Sequence, residues 1–268
     1  MLWPMKEIAL DELKSIQLDL LQKTVDFCES NGLRCFMCGG TLIGAIRHKG
    51  YIPWDDDIDI AMPRQDYDRF VKTFNQPENY YQVVNLETNP KYEYCFAKVF
   101  DNRTVLKELY YPGNTFGVYI DLFPADGVKD IAQIRKIMVL RKILNSKRAN
   151  YYHRTIPKMI INTFAKILLL LVSARKIARL MDHEARKYAF GSLPSAGLIA
   201  NPIGIGEMVD KSVFDSDVYM EFEGRQYRAP IGYDKWLRSI YGDYMQLPPE
   251  EYRVSHHTFK AWWKDDIK

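Results

Sequence analysis

The sequence is short of cysteine, of long apolar runs and of any strong charge bias, and each shortage closes off a class of explanation. Only four cysteines occur in 268 residues, Cys28, Cys35, Cys38 and Cys95. That is too few for a disulfide-built scaffold and suits a reducing compartment. Cys35-Phe36-Met37-Cys38 has C-x-x-C spacing, but no second pair completes a zinc site. On a strand the two thiols would point to opposite sides, so both read as core cysteines. The N-terminus lacks a basic step followed by an apolar run, so no secretory leader is expected and the expected location is cytoplasmic. No apolar stretch reaches the ~20 residues that span a bilayer, because Met159–Ser173 is interrupted by Asn162 and Lys166. Internal repeats and low-complexity tracts are absent too. Net charge is only +3 and 47% of residues are hydrophobic. Disorder is thereby excluded, and no nucleic-acid partner is expected.

What is present is concentrated in Gly39–Met62, GGTLIGAIRHKGYIPWDDDIDIAM. Asp55, Asp56, Asp57 and Asp59 fall within five residues. Acids at that density repel one another and become favourable around a hard divalent cation. Asp57-Ile58-Asp59-Ile60 alternates acid and apolar residues, so a strand there puts Asp57 and Asp59 on one face. Asp55 and Asp56 read equally well as a turn after Pro53. Upstream, Arg34–Cys38 reads as a short strand and Thr41–Arg47 as a helical turn. The Gly39-Gly40 turn between them, with Thr41, could present backbone N–H groups to a phosphate. A third carboxylate is expected from Asp121, in the apolar strand Gly117–Phe123, while Asp126 reads as part of a turn after Pro124. Lys98 lies within the otherwise apolar strand segment Phe96–Phe100 and, with Arg47 and Lys49, is a candidate phosphate contact.

These residues carry a resemblance. GGTLIGAIRHKGYIPWDDDIDIAMPRQDYDRF, IDLFPADGV and the segment Tyr233–Lys264 resemble the LicD family, the phosphorylcholine transferases that decorate bacterial surface glycans, related to the fukutin-related ribitol-phosphate transferases. The resemblance implies a nucleotidyltransferase-type fold. It also implies Mg²⁺- or Mn²⁺-dependent transfer of phosphorylcholine, or another phospho-alcohol, from a CDP-activated donor such as CDP-choline. The acceptor would be a hydroxyl of a lipid-linked or surface glycan: lipopolysaccharide, teichoic acid or capsule. Asp57, Asp59 and Asp121 would hold the metal, with Asp121 also able to act as base, and Gly39 and Gly40 would hold the diphosphate. His256 and His257, in the C-terminal segment, could reach the site. For a choline donor, Trp54, Tyr110 and Tyr111 are possible aromatic walls.

The expected fold class is α+β, a nucleotidyltransferase-like mixed sheet flanked by helices. The chain divides into a catalytic core over 1–128, a basic helical subdomain over 129–190 and a C-terminal segment over 191–268 that packs back on the core. Lys129–Lys187 holds 15 basic residues against 3 acidic, whereas the remainder holds 22 against 31. That block is either the solvated face of core helices or a peripheral contact with an anionic inner membrane leaflet. Two other functions stay open at this point. One is a related enzyme transferring a nucleotide to a small molecule. The other is a non-catalytic membrane-binding module, which would leave three acids on two strands unexplained.

Overall fold

The structure is a computed structural model that describes residues 6–76, 78–108, 115–148, 172–254 and 259–264. His256, His257, Tyr110, Tyr111 and all of Met159–Ser173 but its last two residues lie outside the described residues. Helix α1 is Leu10–Ser30, and it buries Leu13, Ile16, Leu20 and Thr24, the positions its apolar period picks out. Asn31 caps it and Gly32, at φ +62°, turns the chain away. Strand β1 (Phe36–Met37), helix α2 (Gly39–His48), strand β2 (Asp59–Pro63) and helix α3 (Arg64–Thr73) follow. Strands β3 (Tyr81–Val84), β4 (Ala97–Asp101), β5 (Thr104–Glu108), β6 (Thr115–Phe116) and β7 (Tyr119–Gly127) come next. Helices α4 (Ile131–Arg148) and α5 (Ala174–Ala185) precede short strands β8 (Ser195–Gly197) and β9 (Val209–Asp210). The chain then forms the hairpin β10 (Asp217–Phe222) and β11 (Arg225–Pro230), helix α6 (Tyr233–Tyr241) and strand β12 (Phe259–Trp263).

The architecture is mixed α+β. The main sheet runs β1-β2-β7-β4-β3, with β8 and β9 continuing from β7. Strands β2 and β7 are parallel, and the other pairs in this sheet are antiparallel. One apolar core packs α1, α2, α3 and α6 against this sheet. A second gathers Ile134, Ile137 and Leu144 of α4 with Ile177, Ala178 and Met181 of α5, against Val84, Leu86, Tyr92 and Cys95. A separate three-stranded sheet runs β12-β5-β6. There Ile8 N–H donates to Ala261 at 2.9 Å and Trp263 N–H to Lys6 at 3.0 Å, so the segment before α1 is zipped to β12.

Several boundaries differ from expectation, each for a local reason. Strand β7 does not stop at Pro124 but continues through Asp126. Strand β4 pairs with it only as far as Leu122, so the missing proline N–H lies past the doubly paired stretch. Asp126 is therefore no turn residue: it is fully buried, and the Arg64 guanidinium grips both its oxygens at 2.7 and 2.6 Å. That forked pair satisfies the charge burial would otherwise penalise. Val218–Glu223 and Gln226–Ala229 read from sequence as a hairpin around Gly224, but Glu223 leaves the strand and shares the turn with Gly224, at φ +49° and +75°. Two positive φ values in a two-residue loop match the strand twist. Strand β12, unexpected, is specified by its partner β5 rather than by its own pattern.

Candidate functional site

Three neighbouring strands align their polar residues in one row. Asp59 is the first residue of β2 and sits opposite Asp121 of β7, which sits opposite Lys98 of β4. Cross-strand partners share a face, so the pairing brings acid, acid and lysine together. Lys98 is 2% exposed and donates from Nζ to Asp121 Oδ1 at 2.7 Å. Its ammonium also lies 3.3 Å from the centroid of the Tyr119 ring. Lys98 thus anchors Asp121 from beneath, and the structure does not place it on the cavity surface as a phosphate contact. Asp57 precedes β2 rather than lying on it, because regular pairing begins only at Asp59. Asp57, Asp59 and Asp121 nonetheless line one cavity.

The glycine pair makes room for these acids. Gly39 has φ +53°, and a Cβ there would stand 2.7 Å from Asp59 Oδ2. A Cβ on Gly40 would stand 2.6 Å from Asp55 Oδ2. The groups packed against the first turn of α2 are therefore carboxylates, which the partial positive charge of a helix N-terminus favours. Thr41 Oγ1 accepts the Asp59 N–H at 2.8 Å, tying the same turn to β2. Burial pushes the Asp59 carboxyl well above the usual range, as do Asp57, Asp121 and Asp55, and Lys98 opposes them. Buried Gln17 of α1 donates to the carbonyls of Asp56 at 2.9 Å and Tyr119 at 3.3 Å, clamping the acidic segment to the start of β7.

The cavity, about 200 Å³, has a second wall that the sequence did not reveal: Leu198, Asn201, Ile203 and Glu207 from the loop after β8, and Trp236, Leu237, Ile240 and Tyr241 from α6. Cys38 and Gly39 close one side, and Phe96 and Phe123, with ring centroids 4.5 Å apart, complete the floor. Cys38 is buried, and burial and Asp59 push its thiol well up, so it stays protonated. Glu207 is 2% exposed; its Oε1 accepts the Ile203 N–H at 3.4 Å, and its Oε2 has no hydrogen-bond partner. Burial raises this carboxyl to about 7, against the Ile203 N–H, the neighbouring Trp236 indole, whose own N–H also makes no hydrogen bond, and the Leu198 N–H, all of which favour the charged form. The one available signal was the apolar spacing of Trp236, Leu237, Ile240 and Tyr241 on α6. No pattern points to Glu207.

Arg47 and Lys49 are not brought to the acid row. They lie at the other end of α2, roughly 15 Å along a ten-residue helix. Arg47 donates to the Tyr244 carbonyl at 2.9 Å, and Lys49 pairs with Glu221 at 3.3 Å. Trp54 is not among the cavity residues, and the Arg253 guanidinium lies 5.7 Å from its ring.

Known proteins have sequences related to the chain that builds this site. Residues 32–166, which contain the whole row, match the family described as LicD/FKTN/FKRP, nucleotidyltransferase domain. The lipopolysaccharide cholinephosphotransferase LicD of Haemophilus influenzae is 33% identical over 270 residues, covering 96% of this chain and 99% of that protein. An uncharacterised protein of Rickettsia typhi is 35% identical over 72 residues, 26% of this chain and 23% of its own. The second cavity wall lies beyond the family match, yet the Haemophilus alignment runs almost from end to end. A family match over half of the chain and a relative aligned almost from end to end lead to one conclusion: the chain belongs to the LicD family.

Proposed function

We propose that this transferase moves phosphocholine from CDP-choline to a hydroxyl of a cell-surface glycan, with lipopolysaccharide, the acceptor in its Haemophilus relative's name, as the first acceptor to test. The observation that carries this reading is the register of Asp59, Asp121 and Lys98 across β2, β7 and β4 beneath a cavity. Asp57, Asp59 and Asp121 would hold Mg²⁺ or Mn²⁺. The donor set fits, being all hard oxygen, and the mutual repulsion that raises Asp59 is what a cation relieves. Among the described residues no three His, Cys, Asp or Glu side chains form a ready-made metal cage, so the fit lies in donor chemistry and charge. A bound cation would neutralise charge on the phosphoryl oxygens and on departing CMP. The chain's own residues do the rest. Lys98 fixes Asp121, Thr41 and Gln17 fix the backbone of the acidic segment, and the α6 wall excludes water from the reacting phosphorus.

The test follows CMP release from CDP-choline with a lipopolysaccharide acceptor, beside pyrophosphate release from nucleoside triphosphates. CMP release that depends on Mg²⁺, stops in chelator and is reduced by several orders of magnitude in Asp59→Asn supports the reading. Pyrophosphate release instead would make the enzyme a nucleotidyltransferase acting on a small molecule. Full activity of Asp59→Asn would remove the row from the chemistry.

A further inference from the structure

We infer that Glu207, with the rings of Phe96, Phe123, Trp236 and Tyr241, forms a subsite for a quaternary ammonium headgroup. This inference rests on the CDP-alcohol reading above and states which part of the donor this end of the cavity takes. Phe123 follows Asp121 by two residues on β7, and both line the cavity. Two strand residues span about 6.6 Å. The charged and the aromatic ends of the floor are thus separated by a step comparable to the short bridge between phosphate and ammonium in choline. Tyr241 and Trp236 line the same cavity from α6.

Glu207 supplies what the rings lack. It is almost wholly buried, and one carboxylate oxygen makes no hydrogen bond among the described residues. A buried acceptor left in that condition is costly. A trimethylammonium group has no N–H to give, so it is satisfied by a nearby negative charge and by ring faces without hydrogen bonds. Such a cation suits a carboxylate oxygen that makes no hydrogen bond even with the Trp236 indole near the group. A role as a loop anchor accounts for Oε1, which accepts from Ile203, but not for Oε2.

The experiment is isothermal titration at pH 8 with CDP-choline and with its neutral isostere, in which a tert-butyl group replaces the trimethylammonium group. Wild-type protein is expected to prefer the charged donor by at least about tenfold. Glu207→Gln is expected to lose that preference while keeping its affinity for the isostere. Equal affinity of the wild type for both donors overturns the inference and needs no variant, and if both are also transferred the CDP-alcohol reading survives. Full preference retained in Glu207→Gln overturns the part assigned to Glu207. Failure of the wild type to bind either donor or to release CMP overturns the CDP-alcohol reading, and the inference falls with it.

Discussion

At Gly39 a single hydrogen atom decides how closely an acid approaches a helix. The residue adopts φ +53°, and a Cβ would meet Asp59 Oδ2 at 2.7 Å. Gly40 has no such backbone demand, and its Cβ would meet only the movable end of the Asp55 side chain. The two glycines, adjacent and identical, should therefore answer differently to the same change. Gly39→Ala costs about 1–2 kcal/mol in the left-handed conformation and displaces Asp59. It should lower the urea midpoint and reduce CMP release sharply. Gly40→Ala should lose far less of both. Equal loss of turnover in the two variants would show that the pair serves a bound phosphate rather than the acids. The acids themselves stood out in the sequence, because an aspartate amid Ile58, Ile60, Ile120 and Leu122 is costly to bury without a partner. Glu207 did not, because its burial comes from α6, some thirty residues further along the chain.

Helix α4 carries part of the exposed basic block, with Lys176 and Arg179 exposed on α5. Ile131, Arg135, Val139 and Lys142 follow one another at spacings of four, four and three, and all are exposed. Those spacings put them on one face. The other basic residues nearby have internal partners: Arg141 donates to the Pro202 carbonyl at 2.7 Å, and the Arg148 guanidinium sits 3.8 Å from the Tyr94 ring centroid. No helix among the described residues is long and apolar enough to cross a membrane, but this face has the chemistry to lie on one. Arg135→Glu with Lys142→Glu should reduce cosedimentation with anionic liposomes by about 1 kcal/mol per charge removed, and salt should mimic the change. Turnover of a soluble acceptor should stay near wild type. Sedimentation of the double variant equal to wild type would leave the face merely solvated. The helices were readable from apolar period and stop signals: Leu13, Ile16, Leu20, Thr24 and Phe27 recur at helical spacing before Asn31-Gly32, where α1 ends, and Tyr233–Tyr241 reads as a last helix, where α6 stands. Strand β12 and the wall after β8 were not. Their sequences carry no strong alternation, and only the partners that pair with or cover them give them shape.

For the molecule as a whole, Glu207 links the cavity to stability. Its carboxyl is raised from 4.5 to about 7, so between those values the native protein holds a proton that the unfolded chain has released. Stability from this group is full below pH 4.5 and is lost as pH rises through 7. In the absence of donor, Glu207→Gln should therefore gain relative to wild type as pH increases, by about 3 kcal/mol between pH 4.5 and pH 8. Urea unfolding of both proteins at pH 5 and pH 8 measures it, and parallel pH dependences would show that Glu207 ionises like a surface carboxylate. The seam between the segment before α1 and β12 has a different consequence, one of timing. A chain leaving the ribosome presents Lys6–Ile8 long before it can offer Ala261 and Trp263, which come far later in the sequence. The complete acid row exists in the nascent chain long before, while one side of β5 still has no strand beside it. An open strand edge recruits whatever edge it meets. A chain truncated before β12 should thus carry every acid of the row yet be lost to aggregates and chaperones rather than accumulating as an active fragment.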